Sequence, residues 1–141
     1  MGAGLLLSYG ALATKGLLFL IPEKLQAARR KLFAGRIEHY PMNGVRKFYD
    51  LDGNEILVKR GEEGFSAFSS TCPHLGCKVH WSEDEQQFFC PCHNAVFDSD
   101  GNPVSGPPAD AGQKMYPAPM SVDEDSGVVY IEVKEPKGGR A

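Results

Sequence analysis

Residues 4–21 read GLLLSYGALATKGLLFLI, a run with no acidic side chain and a single base. As a helix it is long enough to cross most of a bilayer's hydrocarbon core, so the pattern predicts one membrane-spanning helix within residues 1–22. Lys15, near the middle, carries a cost of roughly 2.5–3.5 kcal/mol on insertion scales, which is relieved if it faces a partner subunit or snorkels to the interface. A cleaved secretory signal is the alternative reading, but nothing basic precedes the run and no small-residue cleavage site follows Leu20-Ile21-Pro22. After Pro22 the period stays helical: Leu25, Ala28, Leu32 and Phe33 recur on one face until Gly35, with proline and Glu23 suited to a first turn. This predicts a juxtamembrane helix whose Arg29, Arg30 and Lys31 meet lipid headgroups.

From Arg36 the period shortens. RIEHY, VRKFYDL, EILVKR and FSAFSS read as strands, separated by turn residues such as Asn43-Gly44 and Asp52-Gly53. They suggest an antiparallel meander, with the clearest hairpin at Asp52-Gly53-Asn54. QQFFC, AVFD and GVVYIEV supply further strands, so residues 45–135 are expected to form an all-β domain, followed by a tail at 136–141. Internal repeats and phosphate-binding glycine loops are absent.

With 141 residues, 42% of them apolar, the chain has room for one ordinary domain plus an appendage. A net charge of -3 and a pI near 5.8 provide no basic field for nucleic acid. The 16 glycines and 10 prolines suit a loop-rich β protein.

The chemistry is concentrated in two short loops, Cys72-Pro73-His74-Leu75-Gly76-Cys77 and Cys90-Pro91-Cys92-His93, which hold all 4 cysteines and two of the 4 histidines. Each loop offers one thiolate and one imidazole a residue or two apart, and this symmetry suggests two metals. In a binuclear iron-sulfur cluster of mixed ligation, one iron takes two thiolates and the other two imidazoles. Cys72 and Cys90 then serve one iron, and His74 and His93 the other. The leftover pair, Cys77 and Cys92, sits once in each loop, where a disulfide could tie the loops together and imply an oxidising compartment. Two cysteines and two histidines also satisfy a single structural zinc, although zinc needs no disulfide. Trp81, Phe88 and Phe89 flank the loops, either as a water-excluding shell or as ordinary core; His39 and His80 are assigned no role.

The two loop motifs are similar to those of the Rieske iron-sulfur proteins, in the form found in quinol-oxidising cytochrome bc complexes, over roughly residues 65–110. The resemblance implies Rieske-type antiparallel sheets with a cluster-binding subdomain of two loops, the ligand set just given, and a Cys77–Cys92 disulfide. It also implies that each histidine binds through its inner ring nitrogen, with the outer one exposed. Gly106-Pro107-Pro108 looks like the family's proline loop, a rigid lid over the cluster. High-potential members carry a serine and a tyrosine, donors to the cluster and ligand sulfurs, where this chain has Ala95 and Phe97. Losing donors that favour the reduced cluster should move the potential toward the lower part of the roughly -150 to +300 mV range, suited to menaquinol. Asn94 stands where the family usually has glycine, a mild change because Asn tolerates left-handed backbone.

By the same resemblance, His93, with His74 sharing the role, accepts a hydrogen bond from a quinol as electron and proton leave together. The head then swings to a cytochrome haem, which puts the expected hinge at residues 35–44. Expected partners are a cytochrome b subunit, a haem-bearing cytochrome c subunit, quinol and membrane lipid. The implied location is an energy-transducing membrane, single-pass, with the cluster domain on the extracytoplasmic side. The positive-inside rule applied to Arg29-Arg30-Lys31 argues for the opposite side. Alternatives are a Rieske subunit of another oxidoreductase, such as arsenite oxidase, or a zinc-stabilised binding module.

Overall fold

A computed structural model describes residues 29–134, together with the isolated positions Leu12 and Gly16. The spanning helix expected at residues 4–21, the first part of the helix expected after Pro22 and the tail at 136–141 lie outside the contiguous described stretch. Among the described residues no helix is long and apolar enough to cross a membrane. Arg29–Lys134 forms one compact unit.

Its architecture is all-β, in three antiparallel sheets. The middle sheet is the predicted meander, β2 (Val45–Tyr49), β3 (Glu55–Gly61) and β4 (Gly64–Ser69), in sequential order. The turn between β2 and β3 is closed by Asp50, whose Oδ1 accepts the Asp52 and Asn54 backbone N–H groups at 2.9 and 2.7 Å. On β3, residues Glu55 to Lys59 are all buried, because both faces of this strand are covered. Ile56 and Val58 point into one core with Tyr40, Ala67, Val129 and Ile131, while Leu57 points into the other with Phe68, Val79, Phe88, Phe97 and the two free cysteines.

The first core is closed by a sheet of β1 (Arg29–Arg36), β10 (Val128–Lys134) and β9 (Met120–Asp123), in the order β1-β10-β9. Here the structure corrects the sequence reading. From Arg29 onward the expected juxtamembrane helix is a strand, because a partner far along the chain outcompetes the local helical period: Leu32 pairs with Ile131 and Phe33 with Tyr130. Side chains alternate across β1, Lys31 and Phe33 exposed, Leu32 and Ala34 half-buried. A bulge between Phe33 and Gly35 lets the strand turn over the Tyr40 ring, whose Cε2 lies 3.3 Å from where a Gly35 Cβ would sit.

RIEHY is likewise not a strand. Arg36 ends β1, and Ile37–His39 makes a short 3-10 turn that delivers Tyr40 into the core, 2% exposed, with its hydroxyl donating to the Ala34 carbonyl at 2.8 Å. Residues 35–44, expected to hinge, are therefore part of the folded unit. Ile37 N–H donates to the Gly127 carbonyl at 2.9 Å, and the Arg60 guanidinium donates to the carbonyls of Ile37 and Tyr40 at 3.2 and 3.0 Å. The compact unit therefore includes residues 29–44, ahead of the expected boundary at residue 45.

The second core is closed by a sheet in the order β5-β6-β7-β8: β5 (His80–Ser82), β6 (Gln87–Cys90), β7 (Ala95–Phe97) and β8 (Pro103–Ser105). A single helical turn, α1 (Pro107–Asp110), follows β8.

Candidate metal centre

The two cysteine-histidine loops lie at one end of the second core. Loop one is a narrow antiparallel return: Thr71 bridges Lys78, Cys72 N–H donates to the Cys77 carbonyl at 2.7 Å, and Val79 N–H donates to the Ser70 carbonyl at 2.7 Å. The tip turns at Gly76, whose φ of 78° suits glycine. Loop two is the β6–β7 connection, in which Cys90 pairs with Ala95 and Asn94 takes the left-handed backbone at φ 51°.

These loops bring the candidate ligands together in two pairs, the Cys72 and Cys90 thiols and the His74 and His93 rings. The Cys72 and Cys90 thiols are buried, 3% and 1% exposed, and neither is in a disulfide. Burial pushes the Cys72 thiol up from its ordinary value; backbone N–H groups of His74 and Leu75 aimed at the sulfur oppose this, and the neighbouring Cys90 thiol adds to it. The His74 and His93 rings meet edge to face, centroids 4.6 Å apart at 82°. His74 is half-buried and His93 exposed. Cys77 and Cys92 are joined in a disulfide whose Cα atoms lie 6.5 Å apart, cross-linking the loops. The sulfurs of Cys77, Cys90 and Cys92 all fall within 4.8 Å of one another, but the disulfide takes two of the three out of ligation.

The donor set suits a cluster of mixed ligation. His74 Nδ1 is buried with no hydrogen-bond partner among the described residues, an arrangement that is costly unless something binds there. Two adjacent thiols shielded from water need a cation between them to exist as thiolates. Both observations fit an iron-sulfur cluster held between the loops.

Residues 31–119 match the family model of the Rieske [2Fe-2S] domain. The chain belongs to this family. Its cofactor is a Rieske-type 2Fe-2S cluster. The chain is 40% identical over 65 residues to the cytochrome b6-f complex iron-sulfur subunit of Chlorobaculum tepidum, covering 46% of this chain and 36% of that one. It is 33% identical over 104 residues to the menaquinol:cytochrome c reductase iron-sulfur subunit of Bacillus subtilis, 70% of this chain and 59% of that one. The match thus spans less than two thirds of either relative's length. The crystal structure of the cyanobacterial plasma membrane Rieske protein of Synechocystis superposes with a TM-score of 0.58 at 25% identity, covering 72% of this chain and 99% of that one. The ferredoxin of carbazole 1,9a-dioxygenase from Nocardioides aromaticivorans, at 20% identity and a TM-score of 0.53, shares the fold over 72% of this chain and 95% of its own.

Around the Rieske loops, the remaining predicted positions fall close by. Leu75 stands 70% exposed at the tip. Ala95 and Phe97 are buried in the same core as the free cysteines, at 1% and 0% exposure. Gly106 brings the proline loop onto loop two so tightly that a Cβ there would sit 2.9 Å from the Ala95 Cα and 3.1 Å from the Asn94 carbonyl oxygen. Pro108 is buried behind it. Trp81 meets Phe88 edge to face with ring centroids 4.7 Å apart, packed against the core, whereas His39 and His80 are exposed. The sequence reading missed the Ser70–Lys78 contact at the base of loop one, because the metal-ligand spacing assigns nothing to either residue.

Proposed function

We propose that this chain is the Rieske iron-sulfur subunit of a membrane quinol:cytochrome c oxidoreductase of the cytochrome bc type, taking one electron from menaquinol and passing it to a cytochrome haem. In this reading Cys72 and Cys90 bind one iron, and His74 and His93 the other, each histidine through its inner nitrogen. When bound, the cluster supplies a one-electron acceptor. The observation that carries the reading is the pair of imidazoles meeting edge to face, His74 with a buried unpartnered nitrogen and His93 exposed.

The chain's own residues divide the work. The outer nitrogen of His93 accepts a hydrogen bond from the quinol hydroxyl and receives its proton, with His74 able to share that role. Leu75 and Pro91, both exposed, give the ring of a quinol an apolar seat. Gly106-Pro107-Pro108 and the disulfide hold the loops together and exclude water. Ala95 and Phe97 have no side-chain donor to offer a sulfur, and backbone N–H groups at Cys72 do not replace both of them, so the potential sits low and matches menaquinol. The relatives' names support a cytochrome b subunit and a haem-bearing cytochrome c subunit as partners. The disulfide supports placement of the domain on the oxidising, extracytoplasmic face of the membrane, with the apolar run at residues 4–21 as the single-pass anchor.

The test is purification of the complex containing this chain from its membrane. Expected are iron and acid-labile sulfide, a Rieske EPR signal that appears when a menaquinol reduces the cluster, and cytochromes b and c in the same particle. A colourless protein holding one zinc, a molybdenum protein in place of cytochrome b, or a midpoint among the high-potential members would overturn the reading.

A further inference from the structure

We infer that Lys78 tunes the reduction potential upward, its ammonium pinned at the base of loop one on the buried hydroxyl of Ser70. This rests on the ligand set proposed above.

Three features of the structure support it. Lys78 stands directly across from Thr71 in the loop-one ladder, and Thr71 is the residue before Cys72, so its side chain originates next to a ligand strand. The chain then folds its charge back against the protein: Lys78 Nζ donates to Ser70 Oγ at 3.0 Å, and Ser70 is 0% exposed. Among the described residues, no carboxylate lies within ion-pair distance of this ammonium. Lys47 and Lys59, by contrast, reach Glu55 Oε1 and Asp100 Oδ1 at 3.3 and 4.0 Å.

A long lysine side chain usually leaves its charge in water, where solvent screens it. Lys78 is itself exposed, but the bond to a buried hydroxyl holds its ammonium against the protein surface instead of free in water, so its field is screened less than that of an untethered lysine. Reduction adds one electron to the cluster, and a fixed positive charge stabilises that added charge. Net charge and hydrogen bonding to the sulfurs are the protein's main levers on such potentials. Ala95 and Phe97 weaken the second lever, and Lys78 works through the first, so the two act in opposite directions.

The experiment is an EPR-monitored redox titration of the full cluster-bearing chain as wild type, Lys78→Met, Lys78→Arg, Ser70→Ala and the exposed control Lys114→Met. It is run at ionic strengths where the Debye length is about 30 Å (0.01 M) and about 3 Å (1 M). Expected are a lower midpoint for Lys78→Met, no change for Lys78→Arg or Lys114→Met, and an intermediate fall for Ser70→Ala. The Lys78→Met shift should be larger at low salt. An unchanged or higher midpoint in Lys78→Met overturns the inference. Should that variant fail to load its cluster, Ser70→Ala decides, since an unchanged midpoint there is equally fatal. A wild type without a Rieske signal would instead count against the ligand set itself, which keeps the two failures apart.

Discussion

Gly106 and Asn94 meet where the proline loop touches loop two, and each is there for its backbone. Gly106 has φ 82° and no room for a Cβ, whereas Gly112 has φ 64° and nothing within 4 Å of where a Cβ would stand. Gly112→Ala should therefore lose only the left-handed backbone term, about 1–2 kcal/mol. Gly106, with ψ -175°, lies in a region open essentially to glycine alone, so Gly106→Ala should cost more and also lift the proline loop, and urea unfolding together with a broadened cluster EPR signal measures the difference. Asn94→Gly should be tolerated, since a φ of 51° costs glycine nothing. The missing sulfur donors make a second residue-scale prediction. Phe97→Tyr with Ala95→Ser should raise the midpoint, because each hydroxyl is placed in the cysteine-lined core where no water competes for it. A titration in which the double variant falls below wild type contradicts the argument from Ala95 and Phe97.

Among the elements, loop one and loop two depend on their cross-link. The disulfide joins residues 15 apart, and closing a loop of that length is worth about 3 kcal/mol. Cys77→Ser with Cys92→Ser should lower stability by about that amount in a denaturant titration and shorten the lifetime of the bound cluster. Strand β1 yields a different test. Because it is bonded to β10 along its length, its β10-facing amides should exchange as slowly as those of β10, whereas a hinge at residues 35–44 would exchange quickly up to Gly44. Hydrogen exchange on the full chain separates the two outcomes. The same strand marks the limit of what the sequence could tell. The loops were legible because metal ligation fixes residue type and spacing, and β2, β3, β4, β6, β7 and β10 because their apolar runs sit between turn residues. Leu25, Ala28, Leu32 and Phe33 happen to fit a helical period, and only the distant partner GVVYIEV reveals a strand. β6 and β7 are as short but carry the apolar runs FFC and AVF, whereas β5 (HWS), β8 (PVS) and β9 (MSVD) hold no apolar run between turn residues and so gave no signal.

For the whole molecule, charge and stability meet at the β7–β8 turn. Burial alone would raise the Asp98 carboxyl, but the Asn102 side chain and backbone, the Asp100 N–H and the charge of Lys59 outweigh it and hold the carboxyl below its ordinary 3.8. Its folded value is depressed, so the stability it contributes is present above about pH 4 and is lost as pH falls through the folded value. Asp98→Asn should flatten that part of the acid-denaturation profile, read as unfolding temperature against pH. Stripping the iron should lower the unfolding temperature too, since it leaves two shielded thiols and His74 Nδ1 without their partner. The strands that build the metal centre also form one uninterrupted stretch between β4 and β9. At its base Ser69 N–H donates to the Tyr116 carbonyl at 2.8 Å and Phe68 bridges Pro117, so the stretch leaves and rejoins the β-scaffold at neighbouring points. A redox head with its two stems this close behaves as a cassette: it can be grafted from one scaffold to another with only two short splices, and a potential tuned within it travels with the graft.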